Sequence, residues 1–204
     1  AVLVEDNLIL DSGRLDDLSA RYPDAVQFGG QKYLLLPALI NSHDHGRVLG
    51  TASMGIPDDL LEVWIVQQRS QPVIDPYLSA AYSGLSLLRS GVGTVVHLHT
   101  VRNWAKVEEE VSAVIRGYRD AGIRVVLSLQ YSDQNPLVYE NLPSFLETLD
   151  PEVLAANQHF LAKPALSHED YIALTNSLMN NYEDDQQTVE ISYCASGVQW
   201  CSDV

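Results

Sequence analysis

The sequence predicts an α/β protein built on a parallel sheet, and three observations support this. Four short runs have the length of strands, and the second of them, "GTVVHLHT", is rich in β-branched residues. The first of them, "YLLLPALI", is a continuous apolar run, as expected of a strand that is covered on both faces. Segments of helical length separate successive runs, which favours parallel pairing through right-handed crossovers. Both an open doubly wound sheet and a barrel fit this order.

Composition limits the classes of protein to consider. The chain has 204 residues and 46% apolar residues, which suggests one domain or at most two with a sizeable core. Its formal charge of −15 would repel nucleic acids and anionic membranes, so neither is expected as a partner. No apolar run reaches the ~18 residues of a membrane span. Two cysteines outside any C-x-x-C pair fit a reducing compartment, so a cytoplasmic location is predicted.

The first elements are a strand-and-turn segment and then the first long strand. That strand lies in "YLLLPALI". Pro37 lacks a backbone N–H to donate, so Ala38–Asn41 is predicted as the paired part. An irregular stretch is predicted from there to Gln71. A helix then begins with Asp75 as cap and Pro76 in the first turn, and it stops at Gly91.

The second half of the chain repeats this alternation. "GTVVHLHT" predicts the second strand, "IRVVLSLQ" the third and "TVEISYC" the fourth. Asp150-Pro151 opens a short helix, and Ser167 opens another. The helix between the second and third strands carries an apolar stripe at three- and four-residue spacing: Trp104, Val107, Val111, Val114, Ile115 and Tyr118.

Two histidines follow the first strand. Side chains at i and i+2 of an extended chain point the same way, so His43 and His45 should converge while Asp44 points elsewhere. Two imidazoles placed so can bind one divalent ion at about 2.0–2.1 Å. The carboxyl ends of parallel strands are also where α/β sheets and barrels place their chemistry. The alternative is a pair of ordinary loop histidines.

The stretch "LLLPALINSHDHGR" resembles the P-G-[LF]-[IV]-[ND]-x-H-x-H signature of the amidohydrolase superfamily, with Ala38 in place of the usual glycine. It is most similar to the branch of cytosine and guanine deaminases and triazine hydrolases. "LLRSGVGTVVHLHT", "YRDAGIRVVLSLQYSDQN" and "SGVQWCSD" resemble later segments of that branch.

The resemblance implies a fold and a division of the chain. Residues 37–204 would be the first half of a metal-dependent hydrolase barrel, a partial TIM (β/α)8 barrel with about four of its strands. Residues 1–36 would belong to a truncated small β-sandwich. The chain is therefore expected to be the N-terminal part of a longer enzyme, with the general acid and base beyond Val204.

The resemblance also implies a chemistry. It predicts hydrolysis of C–N bonds other than peptide bonds in a small-molecule substrate, with His43 and His45 as metal ligands. The predicted fourth strand lacks the lysine that bridges two metals in other branches. One divalent ion, Zn²⁺ or Fe²⁺, is therefore favoured, since imidazole suits both. Unpaired edges of an incomplete barrel favour association, so a homo-oligomer is expected.

Further candidates lie after the later strands. His97, His99, Gln130 and Trp200 are candidate substrate contacts, with ordinary packing as the alternative for each. Two other hypotheses for the whole chain stay open. One is a catalytically incompetent half-barrel that serves as a metal-binding or interaction module. The other is an open-sheet domain whose histidines only resemble ligands.

Overall fold

The structure is a computed structural model that describes residues 1–68, 70–135, 137–139, 141–161, 166–183 and 188–203. The side chains of residues 157–161 lie outside this description. The chain forms two compact units, residues 1–37 and residues 38–204.

The first unit is a hairpin followed by a helix. Strands β1 (Val2–Glu5) and β2 (Leu8–Ser12) pair antiparallel, and helix α1 (Leu15–Arg21) follows them. Asp6 adopts a φ of 53° in the short turn between the strands, a conformation that Asp tolerates better than most residues. The predicted strand-and-turn character of this segment is therefore observed.

The second unit contains a four-stranded sheet with the strands in chain order, β3-β4-β5-β6, and every pair parallel. The predicted parallel α/β sheet is thus confirmed. The bounds are β3 Leu39–Asp44, β4 Val92–His99, β5 Arg124–Tyr131 and β6 Val189–Ala195. Strand β3 runs further than the predicted Ala38–Asn41, so His43 lies inside the strand and His45 just beyond it.

Helices connect the strands. They are α2 (Leu61–Gln68), α3 (Pro76–Arg89), α4 (Val107–Ala121), α5 (Leu142–Leu146), α6 (Pro151–Leu161) and α7 (His168–Tyr182). Asp75 caps α3 by accepting the N–H of Leu78 at 2.9 Å, as predicted. Ser167 caps α7 through the N–H of Asp170 at 3.1 Å. The prediction of an irregular stretch up to Gln71 was wrong, because α2 lies within it.

The core lies between the sheet and helices α3, α4 and α7. Alternate strand residues contact these helices, and Val95, Leu127 and Leu129 are fully buried there. From α4, the predicted stripe supplies five buried residues: Val107, Val111, Val114, Ile115 and Tyr118. Residues of opposite parity on β4, such as Val96 and Leu98, are only half-buried. The helices therefore cover one face of the sheet.

The helices within the described ranges are all too short or too polar to cross a bilayer.

Candidate metal centre

The two histidines of the H-x-H motif lie side by side at the carboxyl end of β3. Their ring centroids are 5.1 Å apart and the ring planes are nearly perpendicular, at 82°. His43 is exposed and His45 is half-buried. The i, i+2 spacing thus brings the two imidazoles together, as expected for an extended chain.

The ring of His45 is oriented by the neighbouring strand. Its Nδ1 lies 3.0 Å from the carbonyl oxygen of Leu98 on β4. A carbonyl can only accept, so Nδ1 carries the hydrogen and Nε2 keeps its lone pair. Burial lowers the pKa of His45, and the nearby charge of Arg47 lowers it further. A neutral imidazole with one nitrogen anchored and the other free has the form of a metal ligand.

The Asp44 side chain stabilises the turn by hydrogen bonds within it, and does not extend the histidine pair. Its Oδ2 accepts a hydrogen bond from Asn41 Nδ2 at 2.9 Å, and its Oδ1 accepts the N–H of Gly46 at 2.6 Å. Both carboxylate oxygens are thus used inside the segment that carries the histidines. This fits the expectation that Asp44 points away from its two neighbours.

The structure places His97 and His99 on the helix-covered face of β4. They are 3% and 7% exposed. His97 Nδ1 accepts a hydrogen bond from the Tyr118 hydroxyl at 3.0 Å, and His99 Nε2 lies 3.0 Å from Glu110 Oε1. Both partners belong to α4. This is the packed arrangement that the sequence left open as the alternative to substrate contact.

Gln130 and Trp200 lie at the same end of the sheet as the histidine pair. Gln130 Oε1 accepts a hydrogen bond from Thr100 Oγ1 at 2.6 Å, which links the ends of β5 and β4. The backbone oxygen of Trp200 accepts the N–H groups of Asp133 and Gln134 at 3.0 and 3.2 Å. These contacts tie the segment after β5 to the segment after β6. Contact with a substrate remains a prediction for both residues.

The segment after the histidines contacts α2 through Arg47. Arg47 Nη2 donates to Gln68 Oε1 at 2.8 Å, and its guanidinium lies 5.0 Å from the Trp64 ring centroid. Glu62 accepts a hydrogen bond from Tyr139, which follows β5, at 2.6 Å. Neither helix α2 nor these contacts were predicted from the sequence. The available signal for the contact was the presence of Trp64 further along the chain from Arg47, because arginine side chains stack on indole rings.

An open cavity of about 520 Å³ lies beside the histidine pair. Its lining includes His43, His45 and Arg47, together with Tyr82 and Ser86 of α3. This volume suits a small organic molecule. Among the described residues, no group of three or more His, Cys, Asp or Glu side chains is placed to hold a metal ion. The described part of the chain therefore offers two imidazoles and no third ligand.

The described residues thus define a class of fold: a parallel α/β sheet with a histidine pair at the carboxyl end of its first strand. Known proteins with similar sequences or folds are relevant to this class. The family model for the bacterial imidazolonepropionase-like composite domain matches residues 1–25. No curated protein sequence matches the chain.

Among solved structures, the chain is similar to a triazine hydrolase from Arthrobacter aurescens, with 17% identity and a TM-score of 0.51. It is also similar to an atrazine chlorohydrolase from Arthrobacter aurescens TC1 complexed with zinc, with 19% identity and a TM-score of 0.53. A triazine hydrolase variant gives 18% identity and a TM-score of 0.54. Each match covers 82% of this chain and 36% of the other.

These likenesses show that the chain shares its fold with part of each of these structures, which agrees with the resemblance that the sequence predicts. This chain spans 36% of the length of the solved structures it matches.

Proposed function

We propose that this chain forms the first half of the (β/α)8 barrel of a metal-dependent hydrolase that acts on C–N bonds other than peptide bonds. The observation that carries the proposal is the histidine pair. His43 and His45 meet at the carboxyl end of β3, and the Leu98 carbonyl fixes the His45 ring with Nε2 free. The likeness to a triazine hydrolase and to an atrazine chlorohydrolase complexed with zinc supports it.

The donor set fits one divalent cation. Two neutral imidazoles suit Zn²⁺ or Fe²⁺, and β6 contains no lysine that could bridge two ions. Catalytic zinc sites usually have three protein ligands. The remaining ligand and the general acid and base would therefore come from outside the described residues.

A divalent ion bound by these rings would lower the pKa of a water molecule towards neutrality and so supply a nucleophile at ordinary pH. The other residues of this chain hold and orient the two histidine side chains. Leu98 fixes the ligating tautomer of His45, and Asp44 fixes the backbone of the turn. The cavity beside them has room for a small molecule, and we propose an amide or an aminated heterocycle as the substrate class.

A second candidate function rests on the missing third ligand. With only two imidazoles among the described residues, the unit could bind a metal ion weakly and act as an interaction module without catalysis. This candidate predicts metal binding with no turnover. It differs from the hydrolase only in the chemistry that follows binding.

Metal content and ammonia release together test the proposal. The full-length enzyme of which this chain is proposed to form the first half is purified without chelator and analysed for bound metals, beside its His43→Ala and His45→Ala variants and the control His168→Ala on α7. The hydrolase predicts about one ion per chain in wild type and control, less in the other two, and ammonia from a panel of aminated heterocycles. Bound metal without ammonia from any panel member would favour the interaction module. No bound metal in the wild type would overturn both.

A further inference from the structure

The turn that follows the histidine pair packs directly on the ring of His97. Gly46 is buried and has a φ of +59°. A Cβ at Gly46 would lie 2.5 Å from Cε1 and 2.9 Å from Nδ1 of His97. Both the backbone conformation and the lack of space therefore require glycine at this position. The H-x-H motif is thus followed by a turn whose position depends on one imidazole ring.

That ring is fixed from the helix side. The Tyr118 hydroxyl donates to His97 Nδ1 at 3.0 Å, and the two rings meet edge to face with centroids 5.6 Å apart. Tyr118 is fully buried, and Ser83 of α3 hydrogen-bonds to its hydroxyl. Burial raises the pKa of Tyr118 and the Ser83 contact lowers it in part, so Ser83 donates to the phenolic oxygen and the Tyr118 hydrogen is left for His97 Nδ1. This assigns the His97 hydrogen to Nε2.

The same ring faces the backbone of His45. Burial lowers the pKa of His97 well below its ordinary value, and the positive charges that His99 and His45 would carry lower it further. The backbone carbonyl of His45 faces the ring as a hydrogen-bond acceptor. A neutral ring that accepts from Tyr118 at Nδ1 has its Nε2–H available for that carbonyl.

We propose that His97, seated by Tyr118, is a positioning residue for the metal-binding histidine pair. Successive residues of β4 hold His45 at two points: Leu98 through the ring, and His97 through the turn at Gly46. Together they keep Nε2 of His45 directed to the metal. This inference rests on the proposed metal site. Loss of groups that orient metal ligands typically weakens metal binding by about 10–100-fold.

Three variants separate positioning from general loss of stability. Tyr118→Phe keeps the aromatic packing and removes only the donor to His97. Gly46→Ala displaces the His97 ring by a second route. Gly91→Ala is the matched control, because Gly91 has a φ of +82° at the opposite end of β4 and a Cβ there meets nothing within 4 Å. The control thus bears the same kind of backbone strain without touching the ring.

The experiment measures Zn²⁺ affinity by competition with a chromogenic chelator, and the imidazole tautomers of metal-free protein by long-range ¹H–¹⁵N NMR. We expect Tyr118→Phe and Gly46→Ala to bind Zn²⁺ about 10–100-fold more weakly than wild type. Gly91→Ala should bind as wild type does. In the metal-free wild type, the His45 spectrum should show hydrogen on Nδ1 alone, and in both variants a mixture of tautomers.

Two outcomes would contradict the proposals separately. If wild type binds Zn²⁺ and both variants match it in affinity and in the His45 tautomer, positioning by His97 is overturned while the metal site stands. If wild type binds no Zn²⁺, the proposed function fails. The metal-free spectra then still decide the positioning, since an unchanged His45 tautomer in both variants would refute it.

Discussion

Glu110 shows how a single carboxylate can secure the end of a strand. It lies in the first turn of α4 and is hydrogen-bonded to His99 Nε2 at 3.0 Å and to the N–H of Arg102 at 3.3 Å. Burial raises the pKa of Glu110, but the hydrogen bond and charge of His99 and the backbone N–H groups of Arg102 and Asn103 lower it, and the net pKa lies below its ordinary value. The ionised carboxylate thus fastens the segment after β4 to its helix.

Glu110→Gln should destabilise the protein by about 1–3 kcal/mol near neutral pH, the usual effect of weakening hydrogen bonds to a buried charged group. Because the pKa of Glu110 is lower in the folded state, its contribution is present above the unfolded pKa of about 4.3 and is lost as pH falls through the folded pKa. Urea unfolding at several pH values checks this. A difference between wild type and variant that stays constant down to pH ~3 would contradict it.

Some side-chain positions in the candidate site could be predicted from the sequence, and others could not. Convergence of His43 and His45 follows from the two-residue repeat of an extended chain. The face of β4 on which His97 and His99 lie does not follow from such a rule. A buried parallel strand is apolar on both faces, so "GTVVHLHT" does not indicate which of its alternate residues face the helices. The bond from His45 to Leu98 depends on the register between β3 and β4, which no local pattern specifies.

Helices α3 and α4 show a close approach that depends on two glycines. A Cβ on Gly117 of α4 would lie 2.6 Å from the backbone oxygen of Tyr77 on α3. A Cβ on Gly84 of α3 would lie 2.9 Å from the Cβ of Ala121. Small residues at the crossing let the helices pack tightly, and a backbone atom cannot move aside as a flexible side chain can.

Gly117→Ala should therefore destabilise the protein by about 1–3 kcal/mol, although alanine is the better helix former by about 1 kcal/mol. Thermal unfolding followed by circular dichroism measures the change. Gly13→Ala is the control, because a Cβ at Gly13 meets nothing within 4 Å, and its midpoint should stay at the wild-type value. A Gly117→Ala protein as stable as wild type would show that the helices separate easily.

The elements that the sequence predicted are those with capping and periodicity. Helices α3 and α7 have their caps at Asp75 and Ser167, and α4 has its buried stripe. Helix α2 escaped prediction because its run "LEVWIVQQ" is apolar without a helical period and buries none of its residues fully. Helix α5 is only five residues long, Leu142–Leu146, and a pattern that short carries little periodic signal.

For the whole molecule, the sheet order has a consequence for association. Strands β3 and β6 lie at the two ends of the order β3-β4-β5-β6, so each has one edge without a partner strand among the described residues. Leu39 and Ile40 on β3 are 55% and 69% exposed. Exposed apolar edge strands are ready to pair with another chain.

We therefore expect the 204-residue chain to self-associate at micromolar concentration, as sedimentation velocity would show. Replacing Ile40 with Lys should shift the distribution towards monomer, because charged edge residues oppose strand pairing. Leu78→Lys is the control, since Leu78 is similarly exposed, at 58%, but lies on helix α3. A monodisperse wild-type monomer would contradict this expectation.

The overall α/β order could be predicted from the alternation of apolar runs and capped helices. Closure into a barrel could not, because the same alternation serves open sheets and barrels alike. Curvature and the pairing of the outer strands depend on contacts made by elements far apart along the chain. The place of the histidine pair at the carboxyl end of β3 does not distinguish the two folds either, because open sheets and barrels both carry their chemistry there.

The most direct test of the central claim is anomalous diffraction at the zinc absorption edge from crystals grown with Zn²⁺. A metal ion held by both rings predicts a peak about 2.0–2.1 Å from Nε2 of His45 and equally close to a ring nitrogen of His43. Crystals of His43→Ala and His45→Ala should lose that peak while crystals of His168→Ala retain it. A zinc peak elsewhere, or none near these two rings, would contradict metal binding by His43 and His45.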